Sequence, residues 1–313
     1  MPSANLLIIH QGALGDFILT FPSIIRLRYY YDCIDVLCQS QLGNLAKKLR
    51  LVDNCYPLEA AHVASLFTDR IDPKAGTFLS AYAKIILFAL SGRLERSINR
   101  ITANPCCRIP SRPPVQDRIH VAGFVLENLV GCGLIRKADA ALENTAIPHR
   151  KRRLQNERKI LLHPGAGSTR KRWALSDFLR VEAKLRADGL EPEFVLGPAE
   201  EDLAGELQNP DRYVHRPGDL SILLDLLESA GGYIGNDSGA SHLAAYLGLP
   251  SAVIFGPADS ERWAPVGRSV RIVKPVRYCR PCFELDEAVC DDRQCLAGIT
   301  PQQVMKAFYD VYS

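Results

Sequence analysis

Three short segments of this 313-residue chain concentrate residue types that handle protons and anions. The first, Gln11-Gly12-Ala13-Leu14-Gly15-Asp16, follows the apolar run Leu6-Leu7-Ile8-Ile9 and precedes a helical-looking stretch. Gly12 and Gly15 permit a tight turn and close approach of a substrate. Asp16 brings a carboxylate to the start of a helix, at the carboxyl end of a strand, where open α/β sheets bind ligands. Taken by itself, such an aspartate also reads as a helix N-cap. The loop has neither the GxGxxG spacing of a dinucleotide fingerprint nor the GK[ST] ending of a P-loop.

The second segment is His163-Pro164-Gly165-Ala166-Gly167-Ser168-Thr169-Arg170-Lys171-Arg172-Trp173. Small residues at Gly165, Gly167, Ser168 and Thr169 let backbone N–H groups approach phosphate oxygens. Lys171 offers a point charge, and Arg170 or Arg172 a guanidinium fork. Trp173 reads as a packing anchor, since large aromatics are buried for their area. The third is Asn236-Asp237-Ser238-Gly239-Ala240-Ser241-His242, followed by Phe255-Gly256-Pro257. A helix beginning at Ser238-Gly239 presents unpaired N–H donors and the positive end of its dipole to a diphosphate. His242 on its own reads as a helix-packing residue.

All three segments need strand, loop and helix to hold them, and the pattern supplies that. Leu6 to His10 and Asp35 to Cys38 read as strands, Phe17 to Tyr30 as one helix, Leu42 to Leu51 as a short helix, and Lys84 to Leu90 as a strand or a buried helix. Arg118 to Leu129 is helical after the proline-rich passage 104–114. From Ile160 the alternation restarts: strand Ile160 to Leu162, helix Ser176 to Asp188, strand Glu193 to Leu196, helices Glu200 to Leu207 and Leu220 to Glu228. Strand Tyr233 to Gly235, helix Ala240 to Leu247, strand Ala252 to Phe255 and a closing helix Pro301 to Tyr312, with Thr300 as N-cap, complete it. The expected organisation is α/β: an N-terminal domain over 1–145, a link over 146–158 and a C-terminal domain over 159–313, with a cleft between two doubly wound lobes.

Taken in order, the three segments resemble glycosyltransferase family 9, the ADP-heptose:lipopolysaccharide heptosyltransferases. The likeness rests on Gly15-Asp16, on His163-Pro164-Gly165 with Lys171-x-Trp173, and on Asn236-Asp237-Ser238-Gly239-x-x-His242 with Phe255-Gly256-Pro257. It implies a GT-B fold of two Rossmann-like lobes and an inverting, metal-independent transfer of heptose from ADP-heptose to a lipopolysaccharide core or related lipid-linked glycan. No cofactor beyond the nucleotide-sugar substrate is implied. Asp16 matches the general base, on the acceptor-side loop with Gly12 and Gly15, and Lys171 matches a contact to the donor phosphate. Asp237 lies where the donor sugar is held, and Ser238, Gly239 and His242 lie at the diphosphate-binding helix. Glu200 lies where a carboxylate holds the ribose. The chain departs from the pattern at His10-Gln11, where members often carry a basic residue, and residues 39–114 match no motif of the family. Other readings of the same fold are a transferase or epimerase acting on a UDP or GDP sugar, or a non-catalytic nucleotide-binding relative.

Composition narrows the class further. A formal net charge of +3 gives no support for a nucleic-acid partner, although basic residues bunch at 149–153, where a solvated linker is the plain reading, and at Arg170-Lys171-Arg172. The longest strongly apolar run, Ile85 to Leu90, is far shorter than the ~20 residues of a spanning helix. The N-terminus lacks the features of a signal peptide. The expected location is the cytoplasm, with peripheral contact to the inner membrane through apolar and basic residues of the first half and the link. Ten cysteines then read as thiols or metal ligands rather than a disulfide framework. Cys279, Cys282, Cys290 and Cys295 form the one candidate structural metal set, with free thiols as the plainer alternative.

Overall fold

The computed structural model describes residues 5–68, 70–142, 156–275, 281–284 and 294–312. The basic run 149–153, most of the expected link, and Cys279 and Cys290 of the candidate metal set lie outside the described residues. The chain forms two compact units, Met1–Ile147 and Pro148–Ser313.

In the first unit, strands β1 (Asn5–His10), β2 (Cys33–Cys38), β3 (Asn54–Pro57), β4 (Lys84–Phe88) and β5 (Cys106–Ile109) make a wholly parallel sheet in the order β3-β2-β1-β4-β5. β1 is central, its Ile8 level with Val36 on one side and Ile86 on the other. A parallel strand covered on both faces must be apolar throughout, which is why Leu6 to Ile9 shows no alternation and is fully buried. The same requirement makes Lys84 to Phe88 a strand, the first of its two expected forms. Helices α1 (Leu14–Leu19), α2 (Phe21–Leu27), α3 (Ser40–Lys48), α4 (Ala61–Ala64), α5 (Pro73–Ser80), α6 (Arg93–Ile101) and α7 (Val121–Gly131) connect the strands.

The single helix expected over Phe17 to Tyr30 is two. Pro22 has no N–H to continue the ladder, and Thr20 sits between α1 and α2 with its hydroxyl donating to the Phe17 carbonyl at 2.6 Å. The expectation that every cysteine is a thiol or metal ligand is also corrected. Cys107 on β5 and Cys132 at the end of α7 form a disulfide, with Cα atoms 6.6 Å apart. Adjacent strand residues face opposite ways. Cys106 accordingly packs against the core holding Leu79 and Ile98, and Cys107 is left to meet α7.

In the second unit, β6 (Asn156–His163), β7 (Glu191–Val195), β8 (Val214–His215), β9 (Ala230–Asn236), β10 (Ser251–Ile254) and β11 (Val270–Val273) are again parallel, in the order β11-β10-β9-β6-β7-β8. Helices α8 (Leu175–Ala187), α9 (Glu201–Ala204), α10 (Leu220–Ser229), α11 (Gly239–Tyr246), α12 (Ser260–Trp263), α13 (Gln294–Ala297) and α14 (Pro301–Tyr312) accompany them. β6 takes up residues 156–158, assigned above to the link. β9 extends upstream of Tyr233 through Gly231-Gly232, which looks like a break in sequence. Gly232 is instead where the Phe308 ring of α14 closes on the sheet, since a Cβ there would lie 2.6 Å from that ring. The helix expected over Glu200 to Leu207 shrinks to the single turn of α9. α14 begins as expected: Thr300 Oγ1 accepts from Gln303 N–H at 3.3 Å, and the Gln303 side chain returns the bond to Thr300 N–H at 2.8 Å. Its Val304, Met305 and Phe308 join Ile160, Leu162, Phe178, Ile234 and Ile254 in the unit's core.

Both sheets are doubly wound, so each has a point where strand order reverses and the loops leave in opposite directions. In the first unit that point lies between β1 and β4, and in the second between β6 and β9.

Candidate functional site

The loop after β1 places Asp16 at the reversal point of the first sheet. The N-cap of α1 is Ala13, not Asp16. Asp16 is the third helical residue, and its Oδ2 accepts from the Ala13 N–H at 3.3 Å, which makes it a cap acting backwards from inside the first turn. Gly12 fits into the notch between Asp16 and His10: a Cβ there would lie 2.8 Å from His10 Cε1 and 2.9 Å from Asp16 Cβ. Glycine at this position is what lets imidazole and carboxylate flank one turn of backbone. His10 ends β1 buried against Phe17 and Phe88, with ring centroids 5.0 and 6.1 Å away, and its Nδ1 accepts from the Gly12 N–H at 3.2 Å. Burial pushes its pKa down to about 4. The ring is therefore neutral near pH 7 and acts as a hydrogen-bond acceptor for the loop rather than as a positive charge.

At the reversal point of the second sheet, the loops leaving β6 and β9 are tied together by Asn236. Its Oδ1 accepts from Trp173 N–H at 3.1 Å, and its Nδ2 donates to the Pro164 carbonyl at 2.8 Å. Trp173 is buried as expected, and its indole N–H reaches the Ile299 carbonyl at 3.1 Å. Between these fixed points Lys171 Nζ pairs with Asp237 Oδ2 at 2.8 Å, so the structure brings together two residues that the sequence placed in separate segments. Burial raises the Asp237 pKa, and the Lys171 ammonium opposes that shift. Removing the lysine would strand a carboxylate in a buried position.

Ser238 caps α11, its Oγ accepting from Ser241 N–H at 3.3 Å and lying 3.3 Å from His163 Nδ1. From Ala230 through Leu247 every residue is buried except Ser238 and Gly239, which are half-buried. The N-terminal end of α11 is thus the one opening in that stretch. His242 lies buried one turn further along the helix. Gly167 and Thr169 are exposed on the facing loop, and Ser168 Oγ caps the 3₁₀ turn Thr169–Lys171 by accepting from Arg170 N–H.

Glu200 is buried. Its Oε2 accepts from Gly197 N–H at 2.7 Å, and its carboxyl lies where a Gly165 side chain would be, 2.3 Å from a Cβ built there. Burial raises its pKa against the pull of the Gly197 and Ala166 N–H groups and Arg172. Arg172 is not an open fork for phosphate. It grips both Asp202 oxygens at 2.9 and 2.7 Å and the Ala199 carbonyl at 2.5 Å, holding the Glu200 turn in place. His163, like His10, is buried and pushed down to about 4, by desolvation first and by Arg172 second.

Of the candidate metal set, Cys282 is half-buried and Cys295 is buried, and both are free thiols. Sequence reasoning passed over Asn236 as a brace, and it passed over Phe283, whose ring lies against Lys171. Nothing in the spacing of the tail signals Phe283, because its partner stands more than a hundred residues earlier.

Two doubly wound α/β units, one with a carboxylate at its reversal point and the other with an open helix start beside a lysine–aspartate pair, are the two halves of a GT-B fold. The model of glycosyltransferase family 9 (heptosyltransferase) matches residues 127–290, just over half of the chain, and the chain belongs to that family. A curated relative, lipooligosaccharide heptosyltransferase 2 of Campylobacter jejuni, is 27% identical over 163 residues, covering 49% of this chain and 51% of the relative. The chain spans about half the length of the curated relatives it matches. Among solved structures, a family 9 glycosyltransferase from Veillonella parvula superimposes with a TM-score of 0.76 at 17% identity, covering 100% of this chain and 98% of that one. The ADP-heptose lps heptosyltransferase II of E. coli does so with 0.75 at 17%, covering 98% of each chain. These two likenesses speak for the fold.

Proposed function

We propose that this protein transfers heptose from ADP-heptose to a lipid-linked glycan of the lipopolysaccharide-core type, by a single displacement that inverts the anomeric centre. The observation that carries the reading is the open start of α11 at Ser238-Gly239 beside the Lys171–Asp237 pair. A diphosphate seated there takes the N–H groups and dipole of α11 together with the Lys171 ammonium, a preorganised site for charge developing on the leaving group, with no step that calls for a metal ion. Glu200, Gly165, Gly167, Ser168 and Thr169 complete the donor side, and Asp237 faces the sugar. The Asp16 carboxylate takes the proton of the acceptor hydroxyl as that oxygen bonds to the anomeric carbon and the bond to ADP breaks. Calorimetric titration with ADP, UDP, GDP and NAD tests the donor. ADP is expected to bind in preference, and Lys171→Ala to weaken it by about ten- to a hundredfold, the worth of a charge-assisted bond. Preference for UDP or GDP, or an unaltered Lys171→Ala, would remove this assignment.

A lipid-linked acceptor requires work at a membrane surface, and among the described residues no helix is long and apolar enough to cross one. The first unit offers a surface for peripheral contact. Arg93, Arg96 and Arg100 are exposed along one face of α6, with exposed Phe67 and Leu90 beside its start, and the Arg93 guanidinium donates to the Phe67 carbonyl at 3.4 Å. Residues 90–120 hold six arginines against Glu95 and Asp117, a net +4 in a chain whose total is +3. Sedimentation with phosphatidylglycerol vesicles, absent with phosphatidylcholine and lost on reversing the three α6 charges, is the expected behaviour.

A further inference from the structure

We infer that Phe283, carried by the cysteine-rich segment near the C-terminus, is a positioning residue for Lys171: its ring face holds the ammonium at the donor site. The inference rests on the donor-site reading above and adds a residue to it. Lys171 Nζ stands 4.2 Å from the centroid of the Phe283 ring and 2.8 Å from Asp237 Oδ2, so the ammonium is held between an aromatic face and a carboxylate. The Arg170 guanidinium lies 5.7 Å from the same centroid and donates to Cys282 Sγ at 3.6 Å.

The ring is not there by chance packing of a loose tail. The backbone N–H groups of Cys282 and Phe283 both donate to the Pro257 carbonyl, each at 3.0 Å, in the loop that follows β10. One residue further on, Glu284 accepts from Arg262 Nε and from Trp263 Nε1, each at 2.9 Å. Arg262 is 1% exposed, so this ion pair is formed away from water and anchors the segment on α12. A second carboxylate beside Lys171, added to Asp237, would make the cluster net negative and repel a diphosphate. An aromatic face attracts the ammonium without adding a charge and without taking up one of its N–H donors.

The experiment measures ADP affinity in Phe283→Leu, Phe283→Tyr, Lys171→Met and the double variant. Phe283→Leu is expected to weaken ADP by about two- to fivefold, the worth of one cation–π contact, and Phe283→Tyr to restore it. The double variant should bind like Lys171→Met alone. An additive loss in the double variant, or a Phe283→Tyr as weak as Phe283→Leu, would make the ring a packing element and overturn the inference. Should Phe283→Leu fail to fold, mono-, di- and trifluoro-phenylalanine at position 283 keep the shape and drain the ring face. Affinity should then fall stepwise with each fluorine, and a flat series would overturn the inference. If Lys171→Met itself binds ADP as wild type does, the donor-site reading fails rather than the placement of Phe283.

Discussion

Asp16→Asn is expected to slow sugar transfer by about 10²- to 10⁴-fold while leaving ADP affinity unchanged, because a base acts in the chemical step and not in holding the donor. Asparagine is the informative substitution. Its side-chain oxygen can still accept from the Ala13 N–H, as Asp16 Oδ2 does at 3.3 Å, so the first turn of α1 keeps its cap and only proton uptake is lost. Asp16→Ala removes both functions and should cost about 1 kcal/mol of stability in addition. Equal stability of wild type and Asp16→Asn in urea unfolding, together with a collapse of turnover, would separate catalysis from capping. Wild-type turnover in Asp16→Asn would end the assignment of Asp16 as base.

Acid should destabilise the fold well before its carboxylates titrate. His10 and His163 are buried with pKa values moved from 6.5 to about 4, so between those limits the unfolded chain binds protons that the folded chain refuses. Their contribution is complete above pH 6.5, is lost as the pH falls toward 4, and amounts to roughly 3 kcal/mol for each ring over that window. Asp237 and Glu200 have pKa values raised by burial, so they act in the opposite direction and favour the folded state as the pH falls through the carboxylate range. The steepest loss is therefore expected within the upper half of the histidine window, at roughly pH 5.5 to 6. Urea midpoints measured from pH 7 to 4.5 should fall, and His10→Asn, which retains an acceptor for the Gly12 N–H, should flatten that slope. Midpoints that stay level in the wild type would contradict the burial of both rings.

How much of this was legible in the sequence depends on whether a residue's neighbours lie near it in the chain. The inner strands β1, β6 and β10 showed as unbroken apolar runs because both of their faces are covered. The loops after β1, β6 and β9 showed as clusters of glycine and small residues because backbone must pass close to something there. Gly165 illustrates the limit: its presence is visible, whereas the Glu200 carboxyl that fills its place comes from the next strand–helix connection. The edge strands β3, β5, β8 and β11 have short or mixed patterns and escaped notice, as did the second helix start at Phe21. The pairing of Lys171 with Asp237, the commitment of Arg172 to Asp202, the brace at Asn236 and the disulfide between Cys107 and Cys132 are all set by tertiary proximity, which spacing does not encode.

The two tryptophans of the chain, Trp173 and Trp263, both belong to the second unit. Trp173 is hydrogen-bonded at its backbone to Asn236 and at its ring to Ile299, and Trp263 is bonded to Glu284 on the segment that carries Phe283. Indole emission from this protein is accordingly a local gauge: it reports the second unit and is silent about the unit that carries Asp16. A melting curve followed by that emission and one followed by backbone ellipticity would coincide only if the halves come apart together.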